Sequence, residues 1–100
     1  MSADSPTIAQ GETHVLVRYW AGARAAAGVA EDRLPVTGPV SLADVRTLAV
    51  AARDGSERLA AVLATCSALV GDAPAGRRDP ADVVVVPGQT VEFLPPFAGG

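Results

Sequence analysis

The stretch VSLADVRTLAVAAR, residues 40–53, constrains the fold more than any other part of the chain. Leu42, Val45, Leu48, Ala49 and Ala52 recur at three- and four-residue spacing, which marks a helix with one apolar stripe. Ser41 stands just before it and Asp44 three positions on, so the two side chains can satisfy each other's free backbone N–H groups as a capping box. Val40 and Val45 take the positions of a hydrophobic staple around that cap, and Asp54-Gly55 stops the helix. A helix with one apolar face has to bury it against another layer. In 100 residues there is room for one core, and an apolar share of 49% is enough to fill it.

The partner layer is read from the β-rich runs. Thr13 to Trp20 (THVLVRYW) predicts a strand with Val15, Val17 and Tyr19 on the core face and His14, Leu16, Arg18 and Trp20 on the other. Ala21 to Ala27 predicts a short helix closed by Gly28 in the left-handed conformation, and Arg33 to Thr37 a second strand ending at Gly38-Pro39. Ser56 caps another short helix with Leu59, Val62 and Leu63 inward. Ala68 to Gly71 and Val83 to Val86 read as strands, separated by a turn at Gly71-Asp72 and a polar loop over 76–82. Pro87-Gly88 is a turn, and Thr90 to Leu94 (TVEFL) is a last strand with Val91 and Phe93 on one face. Pro95-Pro96 then forbids further ladder pairing. The reading is a two-layer α+β domain over residues 13–96, a mixed sheet packed on one main helix, with a disordered leader over 1–12 and a flexible diglycine tail over 97–100. If the first and last strands pair centrally, the tail leaves from the most rigid part of the sheet.

Composition excludes several function classes. The net charge is −3, and the adjacent cations Arg77 and Arg78 are followed directly by Asp79, so no basic stripe offers itself to nucleic acid. No apolar run has bilayer length. The single Cys66 cannot form an internal disulfide, which together with the lack of a signal sequence points to the cytoplasm, and it reads as a small buried hydrophobe. No Cys, His and acidic residues stand at metal-ligand spacing, no glycine-rich phosphate loop is present, and His14 has no nucleophile tied to it. Glu31, Asp32, Asp72, Asp79 and Asp82 read as solvated loop residues. The chain is expected to bind no metal or cofactor itself and not to act as an enzyme alone.

The chemistry is concentrated in LPPFAGG, residues 94–100. A carboxylate on Gly100 becomes reactive once its oxygen is made a leaving group, as adenylation with ATP does, and that step needs another protein because this chain has no nucleotide site. Gly99 and Gly100 lack Cβ atoms and so fit a slot too narrow for side chains. Fully extended, Pro95 to Gly100 spans about 20 Å, enough to enter a buried pocket while the domain stays outside. Pro95 and Pro96 stiffen the stalk, and Phe97 offers an apolar grip. Leu16 and Trp20, on the outer sheet face, are the candidate partner contacts beside this tail.

Three stretches together resemble the MoaD/ThiS family of sulfur carriers: VRYWAGARAAAG at 17–28, SLADVRTLAV at 41–50 and VPGQTVEFLPPFAGG at 86–100. The third is the most specific, and its Pro-Pro pair leans toward MoaD, the small subunit of molybdopterin synthase. The resemblance implies a ubiquitin-like β-grasp fold. It also implies that a MoeB-like enzyme adenylates Gly100 with ATP and that a sulfur donor converts the acyl-adenylate to a thiocarboxylate. The tail would then enter a MoaE-like large subunit, in a heterotetramer of two small and two large chains, and give up its sulfur to build molybdopterin. By the same resemblance Gly99 and Gly100 are the threading pair and reactive end, with Phe97 an apolar contact. The alternatives are a carrier for thiamine, cysteine or another sulfur metabolite, and a ubiquitin-like modifier whose Gly100 is joined to lysines.

Overall fold

The computed structural model of the chain describes residues 13–96. The leader assigned to 1–12 and the tail assigned to 97–100 lie outside the described residues. The elements run β1 (His14–Tyr19), α1 (Ala21–Ala27), β2 (Glu31–Pro35), β3 (Val40–Ser41), α2 (Leu42–Ala52), α3 (Glu57–Thr65), β4 (Ser67–Val70), β5 (Ala73–Pro74), a 3-10 turn (Pro80–Asp82), β6 (Val84–Val85) and β7 (Thr90–Leu94).

The capping box forms as its spacing predicts. The Asp44 N–H donates to Ser41 Oγ at 3.0 Å, and the Ser41 N–H donates back to Asp44 Oδ2 at 3.2 Å. From this start α2 buries Leu42, Val45 and Ala49, with Leu48 partly covered. Ala52, expected on the stripe, is exposed; it is the last residue of α2, two positions before the left-handed Asp54. Ser56 caps α3 by accepting the Leu59 N–H at 3.1 Å, and α3 buries Leu59 and Leu63. Gly28 closes α1 at φ 80, a left-handed position open to glycine, with its N–H on the Arg24 carbonyl.

The main sheet has the order β2-β1-β7-β4-β5. β1 and β7 are parallel, and the other pairs are antiparallel. Val17 faces Val91 and Tyr19 faces Phe93 across the parallel pair, so the two predicted core faces meet side by side. Phe93 is the largest fully buried side chain. Around it lie valines, leucines and alanines from β1, β2, β4 and all three helices, so α2 shares the cover of the sheet with α1 and α3. Burying each such Val or Leu contributes roughly 1.5–3 kcal/mol.

Three sheet details differ from the sequence reading. β2 begins two residues earlier than expected, because pairing with β1 sets Glu31 opposite Arg18 and Asp32 opposite Val17. Val84–Val85 joins Val40–Ser41 in a separate two-stranded ribbon instead of the main sheet. The edge strand β5 falls in what read as turn and loop.

The earlier start of β2 corrects the reading of Asp32 as a solvated loop residue. Alternation places it on the core side with Leu34, its side chain 10% exposed. There it accepts the Tyr19 hydroxyl at 2.9 Å and the Arg53 Nε–H at 3.1 Å on Oδ2, while Arg53 Nη2 donates to Oδ1. One carboxylate thus ties β2 to β1 and to the end of α2. Burial first, then the hydrogen bond to Asp32 and its charge, push the Tyr19 phenol well above its ordinary value of 10.0.

Because this pKa is raised by folding, its contribution to stability is complete below the unfolded value of 10.0 and is lost as pH climbs beyond it toward the folded value. The melting temperature should therefore be insensitive to Tyr19 ionisation at neutral pH and fall more steeply above about pH 10 than in a Tyr19→Phe variant. Asp32→Ala, which leaves the buried phenol without its acceptor, should cost about 1–3 kcal/mol in denaturant unfolding.

Candidate functional site

The site is the end of the sheet at Leu94–Pro96, where the described residues finish. β7 is the middle strand of five, held by β1 on one side and β4 on the other. Its last turn of ladder is stitched to β1 by the Trp20 N–H, which donates to the Phe93 carbonyl at 3.2 Å. Pro95 and Pro96 follow, half-buried and exposed. Neither can donate a ladder hydrogen bond, so the chain leaves the sheet there.

Beside this exit lies a groove of ≈ 880 Å³. Trp20 to Gly22 wall it from the β1–α1 junction, Ser67 to Leu69 from β4, Pro74 and Gly76 from the edge, and Leu94 to Pro96 from the departing chain. Its lining is mainly apolar, which suits it to a partner's surface or a short peptide segment. A smaller hollow of ≈ 280 Å³ lies away from the exit, between α2 and α3.

Trp20 stands at the groove 43% exposed. Its Nε1–H donates to Glu92 Oε1 at 2.9 Å, and the Arg18 guanidinium carbon lies 5.2 Å from its ring centroid. Arg18 sits between two carboxylate residues in register, Glu31 on β2 and Glu92 on β7.

The structure brings together Trp20, Pro95 and Pro96 of the residues singled out from sequence. Leu16 shares their sheet face but stands opposite Thr90, four residues and about 13 Å of strand from Trp20, outside the groove. Phe97, Gly99 and Gly100 lie outside the described residues. Sequence reading missed Leu69, Leu94 and Glu92. Alternation along TVEFL already sets Glu92 and Leu94 opposite the core face, but only the long-range pairing of β7 with β1 and β4 shows what they stand beside.

The remaining titratable groups do other things. Cys66 closes α3 with its N–H on the Leu63 carbonyl at 3.2 Å and is 8% exposed. Burial pushes its thiol up from the usual range, against a smaller opposing pull from Arg46. His14 Nδ1 lies 2.9 Å from the Thr13 hydroxyl. Asp79 accepts the Ala81 N–H at 2.9 Å and caps the 3-10 turn. Among the described residues no group of three or more His, Cys, Asp and Glu side chains is placed to hold a metal ion, and no helix is long and apolar enough to cross a membrane.

No family model matches the chain, and no curated protein matches its sequence. Solved structures do match it in shape. SAMP1 from Haloferax volcanii superposes with a TM-score of 0.70 at 19% identity, over 87% of this chain and 99% of that one. The small archaeal modifier protein 1 from Methanosarcina acetivorans superposes at 0.68 and 20% identity, over 88% and 97%. Urm1 from Trypanosoma brucei superposes at 0.64 and 22% identity, over 88% and 96%. At these identities the likeness establishes the fold: the chain is a ubiquitin-like β-grasp domain.

The buried, proton-retaining Cys66 should resist alkylation. Iodoacetamide at pH 7.5 should label it at least about tenfold more slowly in the folded protein than in denaturant, followed by intact mass. Equal rates would mean that the thiol is open to reagent.

Proposed function

We propose that this protein is a ubiquitin-like carrier, activated at Gly100 by a separate ATP-using enzyme and passed on as an acyl group. The observation that supports this most is the exit of the chain from the middle strand of the sheet, next to an apolar groove. A rigid body can present the exit at a fixed place on an enzyme while the segment beyond Pro96 reaches inward.

The chemistry has two steps. A Gly100 carboxylate oxygen attacks the α-phosphorus of ATP, and pyrophosphate leaves. The mixed anhydride makes AMP the leaving group for the next nucleophile at the carbonyl carbon. An amine of a target protein gives an amide, and the fold shared with two proteins named small archaeal modifier protein 1 supports this outcome. A sulfur nucleophile instead leads to a thiocarboxylate, which the resemblance to sulfur carriers supports. In that second reading the activating enzyme is MoeB-like and the acceptor a MoaE-like large subunit. The Pro95-Pro96 pair is what favours molybdopterin synthesis among the possible uses of that sulfur.

Intact-mass measurement after incubation with ATP, an activating enzyme and a sulfur source separates the fates. Thiocarboxylation raises the mass by the difference between one sulfur and one oxygen atom, while conjugation adds a whole target protein. Removing Gly99 and Gly100 should abolish both products and leave the melting temperature within about 2 °C. Products formed at wild-type yield without these residues would end the proposal, and a large loss of stability would show that they belong to the folded body.

A further inference from the structure

We infer that Glu92 is a positioning residue, which together with Arg18 clamps the Trp20 indole as a fixed wall of the groove at the chain exit. The inference rests on the carrier reading above for its consequence, though not for its geometry.

Trp20 stands where the backbone turns sharply from β1 into α1. The next residue, Ala21, has φ 47, a left-handed conformation that residues other than glycine seldom adopt. The Trp20 backbone is itself anchored on both sides: its N–H donates to the Phe93 carbonyl, and its carbonyl accepts the Ala23 and Arg24 N–H groups that open α1. Beyond that anchor the side chain is 43% exposed at the end of a strand, and partial cover of this kind leaves an indole free to swing. Two neighbours restrain it. Glu92, from the adjacent strand, takes the indole N–H at 2.9 Å, a hydrogen bond between residues 72 apart in the chain. Arg18, two residues back on the same sheet face and directly opposite Glu92, lies over the ring at 5.2 Å. The clamp is thus a cross-strand arrangement between the middle strand β7 and its neighbour β1, each of which is hydrogen-bonded to a strand on both sides.

The clamp also determines what a docking enzyme meets. An indole has one polar group, its N–H donor. With that donor on Glu92, the ring asks the partner for no acceptor, and the groove wall offers carbon to an apolar contact. Removing Glu92 would free both the ring and its donor, so docking would have to order one and satisfy the other.

The single tryptophan of the chain makes the test direct. Fluorescence anisotropy decay of the free protein should show a restrained indole in the wild type and a fast, large-amplitude local rotation in Glu92→Ala. Glu92→Gln, whose side-chain oxygen still accepts the N–H, should restore restraint. In ATP–pyrophosphate exchange with the activating enzyme, Glu92→Ala should raise KM for this protein roughly three- to tenfold with kcat unchanged, and Glu92→Gln should return it to the wild-type value. An indole as ordered in Glu92→Ala as in the wild type overturns the clamp. An unchanged KM overturns its role in docking. A wild-type chain that supports no exchange refutes the carrier reading instead, and the anisotropy comparison then decides the clamp by itself.

Discussion

The parallel pairing of β1 with β7 is the constraint on which the rest depends. Parallel neighbours cannot be joined by a tight hairpin, so a long crossover must lie between them. Here the crossover is nearly the whole domain, from α1 to the turn at Pro87-Gly88. The pairing sets Val17 beside Val91 and Tyr19 beside Phe93, and the three helices close over that seam. It also decides where the chain goes next. A last strand at the edge of the sheet would end against solvent on one side, whereas β7 is hydrogen-bonded on both sides up to the residues before Pro95.

Asp32 shows how the edge of this sheet is finished. Among the described residues β2 has no neighbour on its outer side, and a bare edge invites pairing with other chains. It carries Glu31 and Arg33 outward, Pro35 at its end, and a carboxylate turned toward the core. Pointing a charge inward is a known way to discourage edge pairing, and it demands compensation on the inside. Tyr19 and Arg53 supply it with three donors. Such an arrangement adds little net stability compared with an apolar packing, but it is costly to break once built. It therefore fixes β2 in register with β1 and in place against the end of α2.

What could be read from sequence divides by the range of the forces involved. The cap at Ser41 and Asp44, the turn at Gly28 and the alternation over 14–19 and 90–94 act within a few residues, and each is found where its pattern places it. The start of β2 is not legible locally, because Glu31 and Asp32 have low strand propensity and only the partner strand draws them into the ladder. The ribbon of Val40–Ser41 with Val84–Val85 is held by two residue pairs more than forty positions apart, which no local pattern encodes. The groove is the extreme case. Trp20, Pro95 and Pro96 stand out by residue type, but Leu69 and Leu94 line a groove, and Glu92 meets Trp20 beside it, only once β4, β7 and β1 lie side by side.

The groove and the proposed reaction are linked by length. Four residues beyond Pro96 span at most about 14 Å when fully extended. A five-stranded sheet with strands ≈ 4.7–4.9 Å apart is itself about 20 Å across, too broad to follow a single chain into a slot. Any enzyme that brings Gly100 to its reaction centre must then hold the exit of β7 within about 14 Å of that centre, and the wall of the slot must rest on what surrounds the exit. The residues there are Trp20, Leu94 and the two prolines. On this geometry, delivery of Gly100 requires docking on the groove, so a loose groove wall acts through the strength of docking and leaves the chemical step itself untouched.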